Sequence, residues 1–205
     1  HTAGYDSVAM NLRGCSGDHN RLAIAYHSGC SDDVEAVIAA LMAPQHRPLV
    51  VIGYSLGANV LIKWLTETRF TNQLRAAVSV SNPFALDLCC AQMKSGMPYW
   101  YGRYFLRRLR TDLQRKQAAF EQLGQDQEVA RIRQLGPLDG LQTLWDFDDA
   151  VTAPLHGFAG AEDYYQRCSS RQFIAGTPVP TLVVHSHNDP IIPRHSLPAP
   201  DQVPD

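Results

Sequence analysis

Leu49-Val50-Val51-Ile52-Gly53-Tyr54-Ser55-Leu56-Gly57-Ala58-Asn59-Val60-Leu61 decides how the 205-residue chain reads. Its first four residues are an apolar, β-branched run between Pro48 and Gly53, the pattern of a short buried strand. From Leu56, the residues Val60, Leu61, Trp64 and Leu65 recur at helical spacing. The pentapeptide between them, Gly53 to Gly57, is a G-x-S-x-G. Such a pentapeptide arises by chance in roughly one chain in fifteen of this length, so its context carries the weight. A strand leading directly into the motif and a helix leading directly out of it define a nucleophile elbow, which lifts the Ser55 hydroxyl above the sheet. Glycine is expected at both 53 and 57, because side chains there would collide with backbone in so tight a turn.

Two further apolar runs read as buried strands. Ala76-Ala77-Val78-Ser79-Val80 ends at Asn82-Pro83, and Thr181-Leu182-Val183-Val184 ends at Asn188-Asp189-Pro190. Residues 7–12 predict a weaker fourth strand before the turn Arg13-Gly14-Cys15-Ser16-Gly17. Continuous apolar strands suit a parallel sheet covered on both faces. A helix is expected after Gly29, with Asp32 and Glu35 at capping-box spacing and Pro44 closing it. The alternation predicts the α/β class, an open and mostly parallel sheet flanked by helices. Residues 86–176 interrupt it without a convincing strand. They predict a helical cap inserted between core segments 1–85 and 177–205. Its longest helix starts at Pro98, with Tyr101, Phe105, Leu109 and Leu113 as the apolar stripe.

Hydrophobic residues make up 45% and charged residues 19%, which excludes a disordered or fibrous chain. A formal net charge of −2 gives no basic excess for reading nucleic acid. No apolar run approaches the roughly 20 residues that span a bilayer. The five cysteines are odd in number and form no C-x-x-C, which points to reduced thiols in a cytoplasm. His1 in place of Met, and a Pro-rich end at Asp205, lead us to expect an internal piece of a longer protein.

Asp189 follows the last strand, where functional groups gather in open α/β sheets. The order Ser55, then Asp189, then a histidine suits an elbow-type triad, in which Asp189 would hold the histidine tautomer. The backbone N–H of Leu56, at the helix N-terminus, would face a developing oxyanion. His195 is the one histidine after Asp189, but six residues with no intervening strand are too few to place it across the sheet edge. The base is therefore expected outside this chain. His27 and His156 read as isolated, and His185 and His187 flank the end of the last strand. With no H-E-x-x-H, no Cys/His cluster and no G-x-G-x-x-G after a strand, neither metal nor cofactor is assigned.

Arg103, Arg107, Arg108, Arg110, Arg115 and Lys116 read as a solvated face of the long helix, with a surface that attracts an acidic substrate or makes weak contact with anionic lipid as the sharper alternative. The aromatics Tyr99, Trp100, Tyr101, Tyr104 and Phe105 read as cap core, with an inner face able to roof a pocket.

Gly53-Tyr54-Ser55-Leu56-Gly57-Ala58-Asn59 resembles the elbow of the YheT-like branch of the α/β-hydrolase superfamily. Asn11 to Gly17, Asn20-Arg21, Tyr26-His27-Ser28-Gly29 and Ser81-Asn82-Pro83-Phe84 resemble the same branch. So do Phe147-Asp148 with Thr152, His156-Gly157-Phe158 with Asp163-Tyr164-Tyr165, and Asn188-Asp189-Pro190. The resemblance implies Ser55 as nucleophile, Asp189 as triad acid, and hydrolysis of carboxylic esters, with acylglycerols and phospholipids as substrates of some relatives. It further implies a His-Gly oxyanion loop before residue 1 and a triad histidine in a His-Gly-Gly-His-like loop past residue 205. A small-molecule ester is the expected partner. A non-catalytic ligand binder on the same fold and an acyltransferase using the same serine stand as alternatives.

Overall fold

The computed structural model describes residues 4–42 and 47–203. Three parallel strands, β1 (Leu49–Tyr54), β2 (Leu74–Val80) and β3 (Thr181–Val184), lie in the order β1-β2-β3. Helix α1 (Ser31–Met42) precedes β1, and α2 (Leu56–Glu67) connects β1 to β2. Between β2 and β3 run α3 (Leu86–Gln92), α4 (Pro98–Gln122), α5 (Asp126–Arg133), α6 (Leu144–Phe147), α7 (Ala153–His156) and α8 (Ala161–Cys168). A π-helical stretch, Asp148–Thr152, joins α6 to α7.

The sheet core forms because α2 presents Leu61, Ile62, Trp64 and Leu65 to Val51 of β1 and to Leu74 and Ala77 of β2. Burying each such large side chain contributes about 1.5–3 kcal/mol. Ile38 of α1 joins the cluster, and Glu35 ties the two helices by accepting from Trp64 Nε1 at 2.8 Å and Thr68 Oγ1 at 2.7 Å. Glu35 is therefore not the reciprocal half of a capping box. The helix starts at Ser31, one residue ahead of the expected cap, and Asp33 pairs with Arg13. Pro44, expected to close this helix, lies outside the described residues.

Coverage of the sheet on both faces does not hold among the described residues. Register places Val50, Ile52 and Tyr54 on the same face as Val78, Val80, Leu182 and Val184. Ile52 is 55% and Leu182 60% exposed, because α1 and α2 both pack on the opposite face. The strand expected over residues 7–12 does not form either. Val8 stays exposed, and no described strand takes up the segment's hydrogen bonds.

A second core gathers Leu106, Leu113 and Phe120 of α4 with Val129 and Ile132 of α5, Phe147, Val151 and Leu155. The buried row of α4 is Gly102, Leu106, Leu113, Lys116 and Phe120; Leu113 is buried and Leu109 packs against the same core as expected, whereas over the first turns Gly102 and Leu106 take the inward places expected of Tyr101 and Phe105. Tyr101 and Phe105 are exposed. This placing follows from Gly102, where an added Cβ would lie 3.0 Å from the Met93 carbonyl oxygen. The helix meets the preceding chain backbone to backbone there, so the glycine side must face inward. Ala23 belongs to this second core as well, so the first 85 residues contribute to it.

Candidate functional site

Ser55 occupies the turn between β1 and α2 with φ 50° and ψ −124°. A non-glycine residue in this region costs on the order of 1–3 kcal/mol and persists only where its surroundings enforce it. Three features do so. The Ser55 N–H donates to Val80 O of β2 at 2.8 Å, and the Ser55 carbonyl accepts from Ala58 N at 2.9 Å and Asn59 N at 3.3 Å. Gly53 packs so closely that a Cβ would lie 2.6 Å from Ala58 Cα and 2.7 Å from Gly57 O. Gly57 does not share this requirement, contrary to expectation: an added Cβ there meets nothing within 4 Å. Ser55 is exposed, and Leu56 is the first residue of α2, so its N–H has no acceptor within the helix.

Asp189 follows β3 on the same edge of the sheet, with the end of β2 between the two sites. It is half-buried. Its Oδ1 accepts from Ile191 N at 2.8 Å and Ile192 N at 3.0 Å, which fixes the carboxylate against its own turn and leaves Oδ2 outside those bonds. Beside it, burial pushes the Cys89 thiol up to about 12, an effect reinforced by Asp87 and Asp189. Cys89 is inert as a nucleophile at neutral pH. All five cysteines are free.

His195 is exposed in a 3₁₀ turn, Arg194–Ser196, and its carbonyl accepts from Arg171 Nη1 at 3.4 Å. Among the described residues, no histidine donates to Asp189. The other acids lie in different roles. Asp148 is half-buried, accepting from Thr152 Oγ1 and Tyr165 Oη, each at 2.6 Å, and desolvation raises its pKa. Asp163 accepts from Ala159 N at the start of α8.

Two arrangements here join residues too distant in sequence for any spacing rule to connect. His27 and His156, expected to be isolated, meet with ring centroids 4.4 Å apart and their planes tilted by 54°. Burial lowers both to about 4, so both are neutral at pH 7. Asn59, fully buried one turn after Ser55, donates to Ser28 O at 2.8 Å and Cys168 O at 2.7 Å and accepts from Ser170 N at 2.9 Å. Ser170 Oγ in turn donates to Asn82 Oδ1, and Asn82 Nδ2 to Ser79 Oγ. The helix that follows Ser55 is thereby bonded to the chain returning from α8 and to the end of β2. The sequence signal for this was a polar Asn on the apolar face of a helix, which must be bonded when buried. Lys116, expected on a solvated face, is also buried. It donates to Ala23 O at 3.1 Å and Ile24 O at 2.7 Å, and burial lowers its pKa to about 8.

A parallel sheet with flanking helices, entered by a strained serine turn, is the frame of an α/β hydrolase. The chain matches the alpha/beta hydrolase fold family over residues 1–204, and it belongs to that family. It is similar to YheT of Escherichia coli strain K12, with 36% identity over 98% of this chain and 57% of YheT, in line with the YheT-like resemblance. It is also similar to two Saccharomyces cerevisiae proteins at 27% identity, each over 92% of this chain. One is monoacylglycerol lipase, covered over 42% of its length. The other is medium-chain fatty acid ethyl ester synthase/esterase 2, covered over 45%. The chain thus spans about half the length of these relatives. No solved structure matches it.

Proposed function

We propose that the protein hydrolyses carboxylic esters through an acyl-enzyme on Ser55. The observation that carries this is the backbone of Ser55, held at φ 50° at the head of α2 and on the sheet edge that also bears Asp189. Ser55 Oγ attacks the ester carbonyl carbon while a histidine takes its proton. The Leu56 N–H donates to the oxyanion. Collapse of the tetrahedral species breaks the bond to the leaving oxygen, which takes the proton from the imidazolium and departs as the alcohol, and water repeats the sequence to release the acid. Asp189 orients the histidine and stabilises its charged form. In this reading the histidine and the second oxyanion donor are those that the family resemblance implies. Residues 86–176 act as a cap over the site. The relatives named as a lipase and an ester synthase/esterase support small esters of fatty acids as the substrate class.

Full-length protein should be labelled at Ser55 by a fluorophosphonate and should cleave p-nitrophenyl butyrate. Ser55→Ala should abolish both. Asp189→Asn should lower kcat at least about 10²-fold with the fold intact, since the loss reaches roughly 10⁴ where a triad histidine adopts the wrong tautomer. His195→Gln should stay within about threefold of wild type. Labelling at another residue, or full turnover by Ser55→Ala, would sink the assignment and favour a binder on this fold. A second reading, acyl transfer to an alcohol, is favoured by the relative named as both synthase and esterase. Ethyl ester formation when ethanol is added to a turnover assay separates it from hydrolysis.

A further inference from the structure

The first half of α4 is a helix with little of its own to cover. From Met97 to Arg108, Gly102 and Leu106 alone are buried. Met97 is 64%, Trp100 71% and Tyr104 58% exposed. Met97, Trp100, Tyr104 and Arg108 follow one another at intervals of three and four, so they run along one side of the helix. Arg103 and Arg107 form the adjacent row. Between Asp87 and Asp112 the sequence has no Asp or Glu, yet Lys94, Arg103, Arg107, Arg108 and Arg110 fall in that interval. Arg110 pairs with Asp139, whereas Arg103, Arg107 and Arg108 make no ion pair among the described residues. An open groove of about 540 Å³ follows this surface, lined by Trp100, Arg103, Tyr104, Arg107 and Arg110, and not by Ser55 or Asp189. A chain with a formal net charge of −2 has gathered unneutralised arginines and exposed amphipathic rings on half of one helix.

We propose that this half of α4 is a docking surface for an anionic bilayer. Trp100 and Tyr104 have the ring chemistry that settles at the boundary between headgroups and acyl chains. Arg103, Arg107 and Arg108 reach lipid phosphates while their methylene stems lie along the apolar boundary. The row Gly102, Leu106, Leu113 and Phe120 keeps the opposite side anchored in the protein. The helix therefore lies in the plane of the interface and does not cross it. No helix among the described residues is long and apolar enough to cross a membrane. Docking rests on the ester-hydrolase reading only for its purpose, which is to bring the protein to lipid-like esters.

The test is co-sedimentation of full-length protein with phosphatidylcholine vesicles, with and without phosphatidylglycerol. Binding should require the anionic lipid and fall with added salt. The triple variant Arg103→Gln, Arg107→Gln, Arg108→Gln should bind roughly 100-fold more weakly, at about fivefold per cation near the surface. The matching triple Arg→Lys variant should retain most of the binding. Trp100→Ser with Tyr104→Ser should weaken binding about tenfold or more. Near-UV circular dichroism and melting confirm that each variant is folded. Ser55→Ala should bind as wild type does, so failure of the catalytic reading leaves this measurement standing. Equal binding to both vesicle types, or a triple Gln variant that binds normally, would overturn the proposal. Self-association lost in these variants without any vesicle binding would also overturn it and give the surface to a second copy of the chain.

Discussion

In the β1–α2 turn an added Cβ at Gly53 would lie 2.6 Å from the Ala58 Cα, and in α4 an added Cβ at Gly102 would lie 3.0 Å from the Met93 carbonyl oxygen. Both glycines let two stretches of backbone touch, yet the consequences differ. At Gly53 all three nearest atoms are backbone, belonging to a helix start that is itself bonded to Ser55 O. Nothing there can yield without moving Ser55. At Gly102 the second neighbour is the Met93 Cβ, at 3.1 Å, in the short connection between α3 and α4. One contact sets the geometry of a single residue. The other sets which face the first turns of α4 bury.

The sharpest way to break this comparison is to substitute the two glycines of the serine turn separately. Gly53→Ala should destabilise the protein by at least about 3 kcal/mol, the upper range of overpacking against atoms that cannot relax. It should also lower fluorophosphonate labelling at Ser55. Gly57→Ala should be neutral, or up to about 1 kcal/mol stabilising, because its Cβ enters open space near a helix N-terminus. Chemical denaturation of the two variants checks this. Equal losses would mean that both glycines are under steric demand, as the sequence motif alone suggests.

The phase of α4 is the next largest effect. Leu106→Ala should cost about 2–4 kcal/mol, whereas Phe105→Ala should cost less than about 1 kcal/mol despite the larger side chain removed. Leu106 is 2% exposed and Phe105 37%, which sets the difference. A reversed ranking would restore the inward placing of Tyr101 and Phe105 read from the sequence.

Why the two regions differ in legibility is physical. The strands, the serine turn and the position of Asp189 follow from local chemistry: apolar β-branched runs, a required glycine, a turn before proline. Those rules act over a few residues and so are written in consecutive letters. The phase of α4 depends on what Gly102 and Lys116 meet, and those partners, Met93, Ala23 and Ile24, are distant or carry no distinguishing side chain. With aromatics on nearly every side of its first three turns, the helix offers no clean apolar stripe. The open sheet face, with Val50, Ile52 and Leu182 exposed, shows the same limit, since apolar strands say that a face is to be covered but not by which segment. The hydrogen bonds of Asn59 to Cys168 and Ser170 and the meeting of His27 with His156 likewise join chain segments more than a hundred residues apart.

The His27–His156 contact extends the comparison to pH. Each imidazole is held neutral down to about 4 in the folded protein, chiefly by burial, and ionises near 6.5 when exposed. Lys63 and Arg13 oppose the charge on His27, and Asp33 favours it; His27, Arg13, Lys116 and Arg131 oppose it on His156. Between these values the unfolded chain binds more protons than the folded one. Stability therefore falls as pH drops from about 6.5 to about 4, and these two groups contribute no slope above that window. Melting temperatures of wild type and of the His27→Gln, His156→Gln double variant should converge as pH falls through the window. Parallel curves would show that the pair does not control this region of the pH profile.

The smallest expected effect lies at Gly102 itself. Alanine in a helix interior is favoured over glycine by about 1 kcal/mol, and an added methyl here meets Met93 O at 3.0 Å and Met93 Cβ at 3.1 Å. Relief requires the α3–α4 connection to shift by a few tenths of an ångström, and that connection holds no buried residue between Gln92 and Pro98. The two contributions are of similar size and opposite sign. Gly102→Ala should therefore melt within about 1 kcal/mol of wild type, far less perturbed than Gly53→Ala. Gly102→Val adds a branched side chain that no such shift accommodates, and it should lose at least about 2 kcal/mol. If alanine at 102 were as damaging as alanine at 53, the approach of α4 to Met93 would be as unyielding as the serine turn. A fully tolerated valine would show instead that the inward face of α4 is not fixed at Gly102.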